Sequence, residues 1–165
     1  GSTQSRFGMM LNNNTGQTLT QFTVTYTGEQ WREGNSAATT LAFSYAVDAT
    51  DLNTGTFVAA SALSFTSPIN GTTSTSGVIL DGNASANRRT VSATVTGLVW
   101  PAGSRLILRW TDNDDTNNDD GLAIDDFVFT AADSGPVAPV IVSTTPADEA
   151  TGLSPSTAIT VTFNQ

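Results

Sequence analysis

The stretch Phe22-Thr23-Val24-Thr25-Tyr26-Thr27 decides the fold class, because its apolar and polar residues alternate strictly. Successive side chains of a β-strand point to opposite faces of the sheet, so this pattern predicts a strand with one face in a core. Val, Thr and Tyr also favour the pleated surface of a sheet. The stretch therefore predicts a half-buried β-strand and argues against a helix.

The same alternation recurs through residues 5–131, the predicted first domain of the chain. Turn-forming Gly, Asn and Pro residues separate the runs, and no window predicts a long amphipathic helix. About eight or nine short strands predict an all-β fold, a two-sheet antiparallel β-sandwich of the jelly-roll type. The clearest further strands are 41–47, 91–96, 105–110 and 122–130, with shorter ones at 6–11, 56–60, 63–66 and 78–80.

The composition excludes most catalytic chemistry. The 165 residues include no Cys, His or Lys, and six Arg stand against fifteen Asp and Glu. Ser-His-Asp and Cys-His nucleophiles and Schiff-base lysines therefore cannot be assembled. Paired carboxylates alone suffice for glycoside hydrolysis, but a small, loop-rich chain has little material for a deep cleft. We expect a protein that is not an enzyme.

The charge and composition also limit the partners and the location. A net charge of -9 disfavours nucleic acid and anionic membrane surfaces, and no apolar run approaches the ~20 residues that span a bilayer. The Lys-free composition, rich in Thr, Asn, Gly and Ser, is typical of extracellular or cell-surface bacterial proteins. Gly1-Ser2 has the form of an expression-tag scar, so residues 1–4 are interpreted as tag and leader.

An acidic run lies near the end of the first domain. Residues 112–121 read Asp-Asn-Asp-Asp-Thr-Asn-Asn-Asp-Asp-Gly, and Asp125-Asp126 follows within an apolar segment. The run has two interpretations, a solvated loop or a site for Ca²⁺, which prefers hard oxygen ligands. An EF-hand starting at Asp115 is excluded, because Asp120 stands where that loop needs Gly. Strand alternation predicts that Asp125 or Asp126 lies near the core, where Ca²⁺, an Arg or backbone amides would have to compensate the charge.

The segment Gly121-Leu122-Ala123-Ile124-Asp125-Asp126-Phe127 resembles the closing "G-x-x-I-D-D" strand of bacterial jelly-roll modules, including cleaved-adhesin domains and MAM-type sandwiches. Over residues 5–131 the chain resembles accessory domains appended to secreted bacterial proteins. The residues of this wider resemblance are 27–32, 45–48, 80–83, 87–88 and 108–112. In adhesin-like relatives the Asp pair binds structural calcium, and the resemblance carries that role to Asp125 and Asp126.

The remaining predicted calcium ligands follow from proximity and chemistry. Asp112, Asp114 and Asp115 lie in the acidic run, and an acid early in the chain, such as Glu29, often faces the last strand of a jelly roll. The alternative partner for a buried carboxylate is Arg32 or Arg109. The predicted metal set is therefore Glu29, Asp112, Asp114, Asp115, Asp125 and Asp126, with Ca²⁺ as the ion.

A second domain begins after a linker at residues 132–138. Residues 139–165 resemble the opening of a bacterial Ig-like domain, in which "V-x-S-x-x-P-A-x-x-A-x-x-L-S-P" leads into an "I-x-V-x-F" strand. A complete Ig-like domain has roughly 100 residues. We therefore expect an incomplete domain whose strands pack on the first domain, pair with a neighbouring chain or are poorly ordered.

The loop around Trp31 is the candidate ligand site. An aromatic platform beside Arg32 and Asn35 has the chemistry of a sugar-binding site; the alternative is a Trp that closes one end of the sandwich while Arg32 forms a salt bridge. The predicted function is a carbohydrate-binding module that attaches a larger secreted protein to a polysaccharide or cell-surface glycan. The alternative function is a structural or adhesive spacer between other domains of that protein.

Overall fold

The computed structural model describes residues 4–133, 135 and 139–163, and it confirms the all-β fold. The chain forms two compact units, Gly1–Asp133 and Ser134–Gln165. The strands of the first unit are β1 (Ser5–Asn12), β2 (Leu19–Glu33), β3 (Thr40–Val47), β4 (Val58–Ala59), β5 (Phe65–Thr66), β6 (Val78–Ile79), β7 (Arg88–Trp100), β8 (Arg105–Asp112) and β9 (Gly121–Ala132). A short 3-10 helix spans Ser61–Leu63. In the described part of the chain, no helix has the length and hydropathy needed to cross a lipid bilayer.

Two antiparallel sheets form the first unit, as the alternating pattern predicts. Sheet A has the order β1-β8-β3, and both β4 and β5 pair with β3. In sheet B the long strand β2 lies between β7 and β9, and β6 pairs with its C-terminal end. The consecutive long strands β1, β2 and β3 change sheet at each step, as do β7, β8 and β9. The two sheets pack face to face as a β-sandwich.

The core lies between the sheets and is rich in aromatic side chains. Trp110 of β8 is fully buried and makes edge-to-face contacts with Tyr26, Phe43 and Phe127 at ring-centroid distances of 5.5, 5.0 and 6.0 Å. Such pairs stabilise a core by about 0.5–1.5 kcal/mol each beyond the area they bury. Alternating residues of the same strands extend this core, namely Phe22 and Val24 of β2, Leu41 of β3, and Leu106 and Leu108 of β8.

The pairing between β2 and β9 is interrupted twice. Thr25 pairs with Val128 and Thr27 with Asp125, so β9 contains one extra residue in this interval. Further along, Gln30 pairs with Leu122 and Arg32 with Gly121, so β2 contains the extra residue, Trp31. A β-bulge of this kind redirects the side chains beside it, and both bulges lie at residues that the sequence singles out.

The second unit is a two-stranded antiparallel ribbon. Its strands are β10 (Ile141–Thr145) and β11 (Thr160–Phe163), which pair with each other. The three arrangements that the sequence suggests for these strands stay predictions. The large apolar residues described in this unit are between 40% and 79% exposed, so the ribbon has no buried core among the described residues. The interpretation of residues 139–165 as the start of an Ig-like domain stays a prediction, and most of the linker predicted at 132–138 lies outside the described residues.

Candidate functional site

Trp31 lies near the C-terminal end of β2, on the outer face of sheet B. The flanking residues Gln30 and Glu33 are buried, whereas Trp31 is 43% exposed and Arg32 is half-buried. Trp31 is two residues beyond Glu29 and is bonded to it, so the regular alternation of β2 already places both side chains on the outer face of sheet B. Trp31 therefore points away from the sandwich core, and its role and that of Arg32 in ligand binding stay predictions.

Two contacts hold the Trp31 ring in place. Its indole Nε1–H donates a hydrogen bond of 3.0 Å to Glu29 Oε2. The ring also lies against Gly82, where an added Cβ would approach the ring atom Cε2 to 2.3 Å. The backbone carbonyl of Trp31 accepts a hydrogen bond from Leu80 N–H at 2.9 Å. The exposed part of the ring is therefore a fixed apolar surface.

A charged cluster adjoins Trp31 and consists of Glu29, Arg88 and Asp126. Arg88 Nη2 donates to Asp126 Oδ2 at 3.1 Å and lies 3.8 Å from Glu29 Oε1. Thr27 Oγ1 donates to the same Asp126 oxygen at 3.0 Å. Glu29 is only 4% exposed, and its Oε1 has no hydrogen-bond partner among the described residues. We call Glu29, Trp31, Arg88 and Asp126 the Trp31 cluster.

The expectation that Arg32 or Arg109 neutralises a buried carboxylate is wrong. Among the described arginines only Arg88 forms ion pairs, and Glu29 is its buried partner. Arg109 instead donates from Nε to Ser44 Oγ at 3.1 Å and lies over the Phe57 ring. The Arg88 contact depends on the register of β2 against β7, in which Glu29 pairs with Arg88.

The expectation that one member of the Asp125-Asp126 pair lies near the core is also wrong. Both residues are exposed. The extra residue in β9 interrupts the alternation, and Asp126 adopts a positive φ of 52°. The bulge thus turns both carboxylates to solvent, where their charges need no buried compensation.

The acidic loop, residues 112–120, is fastened to the connection between β2 and β3. Asp120 is 6% exposed, and its Oδ1 and Oδ2 accept hydrogen bonds from the backbone N–H groups of Gly34 at 2.7 Å and Thr39 at 3.3 Å. Asn35 Oδ1 accepts a hydrogen bond from Asn118 N–H at 3.1 Å. The predicted ligand residue Asn35 therefore binds the acidic loop. Sequence reasoning missed Asp120 as an anchor, because no local pattern distinguishes it from its acidic neighbours.

The carboxylate of Asp112 is under electrostatic strain. Its Oδ1 is buried without a hydrogen-bond partner in the described part of the chain. Burial, followed by the negative charges of Asp119, Asp115, Asp114 and Asp120, raises the pKa of Asp112 to about 6. Burial also raises the pKa of Asp119, although a hydrogen bond from Asp115 N–H partly offsets this shift. A cation among these groups would relieve both effects.

The predicted metal ligands lie in two separate groups of contacts. Glu29 and Asp126 meet through Arg88, and Asp125 Oδ1 accepts the N–H of Asp126, whereas Asp112, Asp114 and Asp115 interact within the acidic loop. Within residues 4–133, 135 and 139–163, no three carboxylates are arranged as a metal site. The acidic loop has the donor chemistry for Ca²⁺ but not a closed ligand shell, so its calcium stays a prediction.

A cavity of about 390 Å³ lies on sheet A, and none of the predicted site residues lines it. Its walls include Met9, Leu52 and Ile107. Asp51, which also lines it, already accepts hydrogen bonds from Asn53 N–H at 2.6 Å and Thr54 N–H at 2.8 Å. The cavity therefore offers few free polar groups that could orient a ligand.

Comparison with known proteins adds no relative: no family model, curated protein or solved structure significantly matches this chain.

Proposed function

We propose that residues 5–131 form a non-catalytic, calcium-stabilised module of a larger secreted protein and that Trp31 binds carbohydrate. The observation that supports this most directly is that Trp31 is 43% exposed although its indole N–H is bonded to Glu29. A large side chain that is held rigid before binding loses little conformational entropy when a ligand covers it. An aromatic ring fixed in this way suits the apolar face of a sugar ring.

The outer face of sheet B supplies hydroxyl groups next to the Trp31 cluster. Thr23 Oγ1 and Thr94 Oγ1 are 2.7 Å apart, as are Thr25 Oγ1 and Ser92 Oγ. A hydroxyl both donates and accepts hydrogen bonds, so these pairs can exchange partners with sugar hydroxyls. The hydroxyl pairs follow β2 toward Trp31, and they give an extended polysaccharide or cell-surface glycan a polar surface to lie on.

Calcium is assigned a structural role in this proposal. The ligands we favour are Asp112, Asp114 and Asp115, since the buried Asp112 Oδ1 has no partner and neighbouring carboxylates crowd it. An ion there would neutralise the loop and hold it beside β8. It would take no part in a reaction.

Binding is tested by affinity electrophoresis of the full chain in gels that contain plant, algal or bacterial polysaccharides. We expect at least one neutral polysaccharide to retard the wild-type protein. Trp31→Ala should abolish this retardation, whereas Trp31→Phe, which keeps an aromatic face, should retain part of it. Val58→Ala removes an apolar side chain that is 49% exposed on sheet A and serves as the matched control.

A spacer function is the competing proposal. The bonds from Gly34 and Thr39 to Asp120 support it, because they stiffen one end of the sandwich without contributing to Trp31. A spacer would bind no polysaccharide, and its unfolding temperature would still rise with Ca²⁺. Absence of retardation in every gel would reject carbohydrate binding in favour of this alternative.

A further inference from the structure

We propose that the Trp31 cluster selects neutral sugars, because Glu29 and Arg88 together bind one uncharged hydroxyl group of the ligand. This proposal rests on the proposed function, and it adds the chemical class of the carbohydrate. Its basis is a carboxylate oxygen that is buried beside the exposed Trp31 ring without a hydrogen-bond donor.

The two oxygens of Glu29 differ in their partners. Oε2 accepts the Trp31 indole N–H at 3.0 Å. Oε1 has no hydrogen-bond donor among the described residues, and the nearest cationic atom, Arg88 Nη2, is 3.8 Å away. That separation exceeds a hydrogen bond, and a buried acceptor without a donor is costly. The site therefore lacks one donor at Oε1.

Arg88 can provide the second half of the binding interaction. A guanidinium group carries five N–H donors, and the contacts described for Arg88 involve only Nη2. The remaining N–H groups are available to a ligand oxygen. A ligand group that accepts a hydrogen bond from Arg88 and donates one to Glu29 Oε1 would satisfy both side chains.

A hydroxyl group has both capacities, and charged groups have only one. A uronate or sulfate oxygen would accept from Arg88 but could not donate to Glu29, and Glu29 and Asp126 would repel it. An ammonium group would donate to Glu29, but it accepts no hydrogen bond and Arg88 would repel it. Neutral hexoses and pentoses are therefore favoured over uronic acids, sulfated sugars and glucosamine.

The ligand reaches Glu29 Oε1 when Arg88 moves. The Arg88 side chain is 31% exposed, and its other partner, Asp126, has a side chain that is 64% exposed. Both partners lie at the surface, so the movement displaces no core residue. Arg88 would exchange part of its contact with the two carboxylates for a bond to the sugar.

The class of sugar is tested by calorimetric titration of the full chain. The neutral probes are hexasaccharides of β-1,4-linked glucose, xylose and mannose, and the charged probes are hexagalacturonate and hexaglucosamine. The proposal expects at least one neutral probe to bind at least tenfold more tightly than either charged probe. A charged probe that binds most tightly would overturn the selectivity and leave carbohydrate binding intact.

Two variants test the role of Glu29. Glu29→Gln keeps the shape and the acceptor for Trp31 but removes the charge, and it should weaken neutral-sugar binding at least tenfold while the unfolding temperature stays equal or rises. Glu33→Gln is the matched control, since Glu33 is also buried but already accepts a hydrogen bond from Thr72 N–H at 2.8 Å. It should lower the unfolding temperature without changing affinity.

Loss of binding in Trp31→Ala but not in Glu29→Gln would refute the role of Glu29 and leave the role of Trp31 intact. If none of the probes and none of the polysaccharides binds the wild-type chain, both the proposed function and this inference fail.

Discussion

Asp120 accepts a hydrogen bond of 2.7 Å from the backbone N–H of Gly34, although the two residues are 86 positions apart. The other oxygen of Asp120 accepts from Thr39 N–H, and Thr39 Oγ1 accepts from the backbone N–H of Asp120 at 3.2 Å. These reciprocal bonds satisfy a buried carboxylate without a cation. Asp120 therefore fixes the acidic loop and is distinct from the residues we propose as calcium ligands.

Removal of this carboxylate should destabilise the fold. Asp120→Ala leaves the N–H groups of Gly34 and Thr39 without their acceptor, and we expect the free energy of unfolding to fall by about 2–3 kcal/mol. Urea denaturation in EDTA measures the change. Asp114→Ala, at an exposed position of the same loop, should stay within about 0.5 kcal/mol of the wild type. Equal midpoints for the two variants would contradict the assignment of Asp120 as an anchor.

Gly34 should not tolerate a larger residue. A Cβ at this position would lie 1.9 Å from the carbonyl oxygen of Asn118 and 2.6 Å from that of Asp119. These are backbone atoms, which cannot rotate away, so Gly34→Ala should lower the free energy of unfolding by about 1–3 kcal/mol. Thr116→Ala, at an exposed position of the facing loop, serves as the control. An unchanged urea midpoint for Gly34→Ala would show that the loop does not pack as described.

The pKa of Asp112 predicts an unusual dependence of stability on pH. The folded state raises this pKa from 3.8 to about 6, so it holds the proton more tightly than the unfolded state. The stabilisation that the proton on Asp112 gives the folded state is complete below about pH 4 and is lost as the pH rises through 6. Solvent screening limits this stabilisation to about 1 kcal/mol. Urea denaturation of wild type and Asp112→Asn in EDTA tests this. The variant should be the more stable protein at pH 7, and the advantage should disappear at pH 4.

Calcium should oppose this loss of stability at neutral pH. An ion that binds the folded state alone adds about 2.7 kcal/mol when its concentration is 100 times its dissociation constant. We expect millimolar Ca²⁺ to raise the unfolding temperature more than Mg²⁺, which demands a stricter octahedral geometry. The combined variant Asp112→Asn, Asp115→Asn should lose the response to Ca²⁺ but retain the wild-type fold in EDTA. Equal unfolding temperatures with Ca²⁺ and EDTA would remove the ion from the proposal.

The fold class was accessible from the sequence because one-sided burial imposes a period of two on each strand. Phe22, Val24 and Tyr26 carry that period in full, and all three are buried. The extent of β2 was not accessible, since the predicted run 22–27 lies within a strand of 15 residues. Beyond Thr27 the strand contains Gly, Glu and Gln, and contacts with distant segments bury them where local pattern indicates a turn.

For the candidate site, the sequence predicted the types of residue involved but not their arrangement in space. Trp31 stands out in the sequence as an aromatic residue among polar neighbours, but its position on the outer face of sheet B depends on the full length of β2, which the local pattern does not predict. Arg88 belongs to the residues of the wider resemblance, but no local pattern shows which carboxylates it contacts. It reaches Glu29 and Asp126 because three strands adjoin in sheet B, and their relative register is set by tertiary packing. For the same reason, the sequence could not show that the predicted calcium ligands divide into two groups.

The bulge that turns Asp125 and Asp126 outward has a consequence for the behaviour of the protein at high concentration. In the described part of the first unit, β9 pairs only with β2, so its other edge could serve as a template for a strand of a second molecule. A strand edge with an interrupted hydrogen-bond ladder and two exposed carboxylates is a poor template. Its backbone donors and acceptors do not align with those of an incoming strand, and the carboxylates of the two molecules would repel each other. The irregularity that positions Asp126 beside Arg88 thus also protects sheet B from edge-to-edge aggregation.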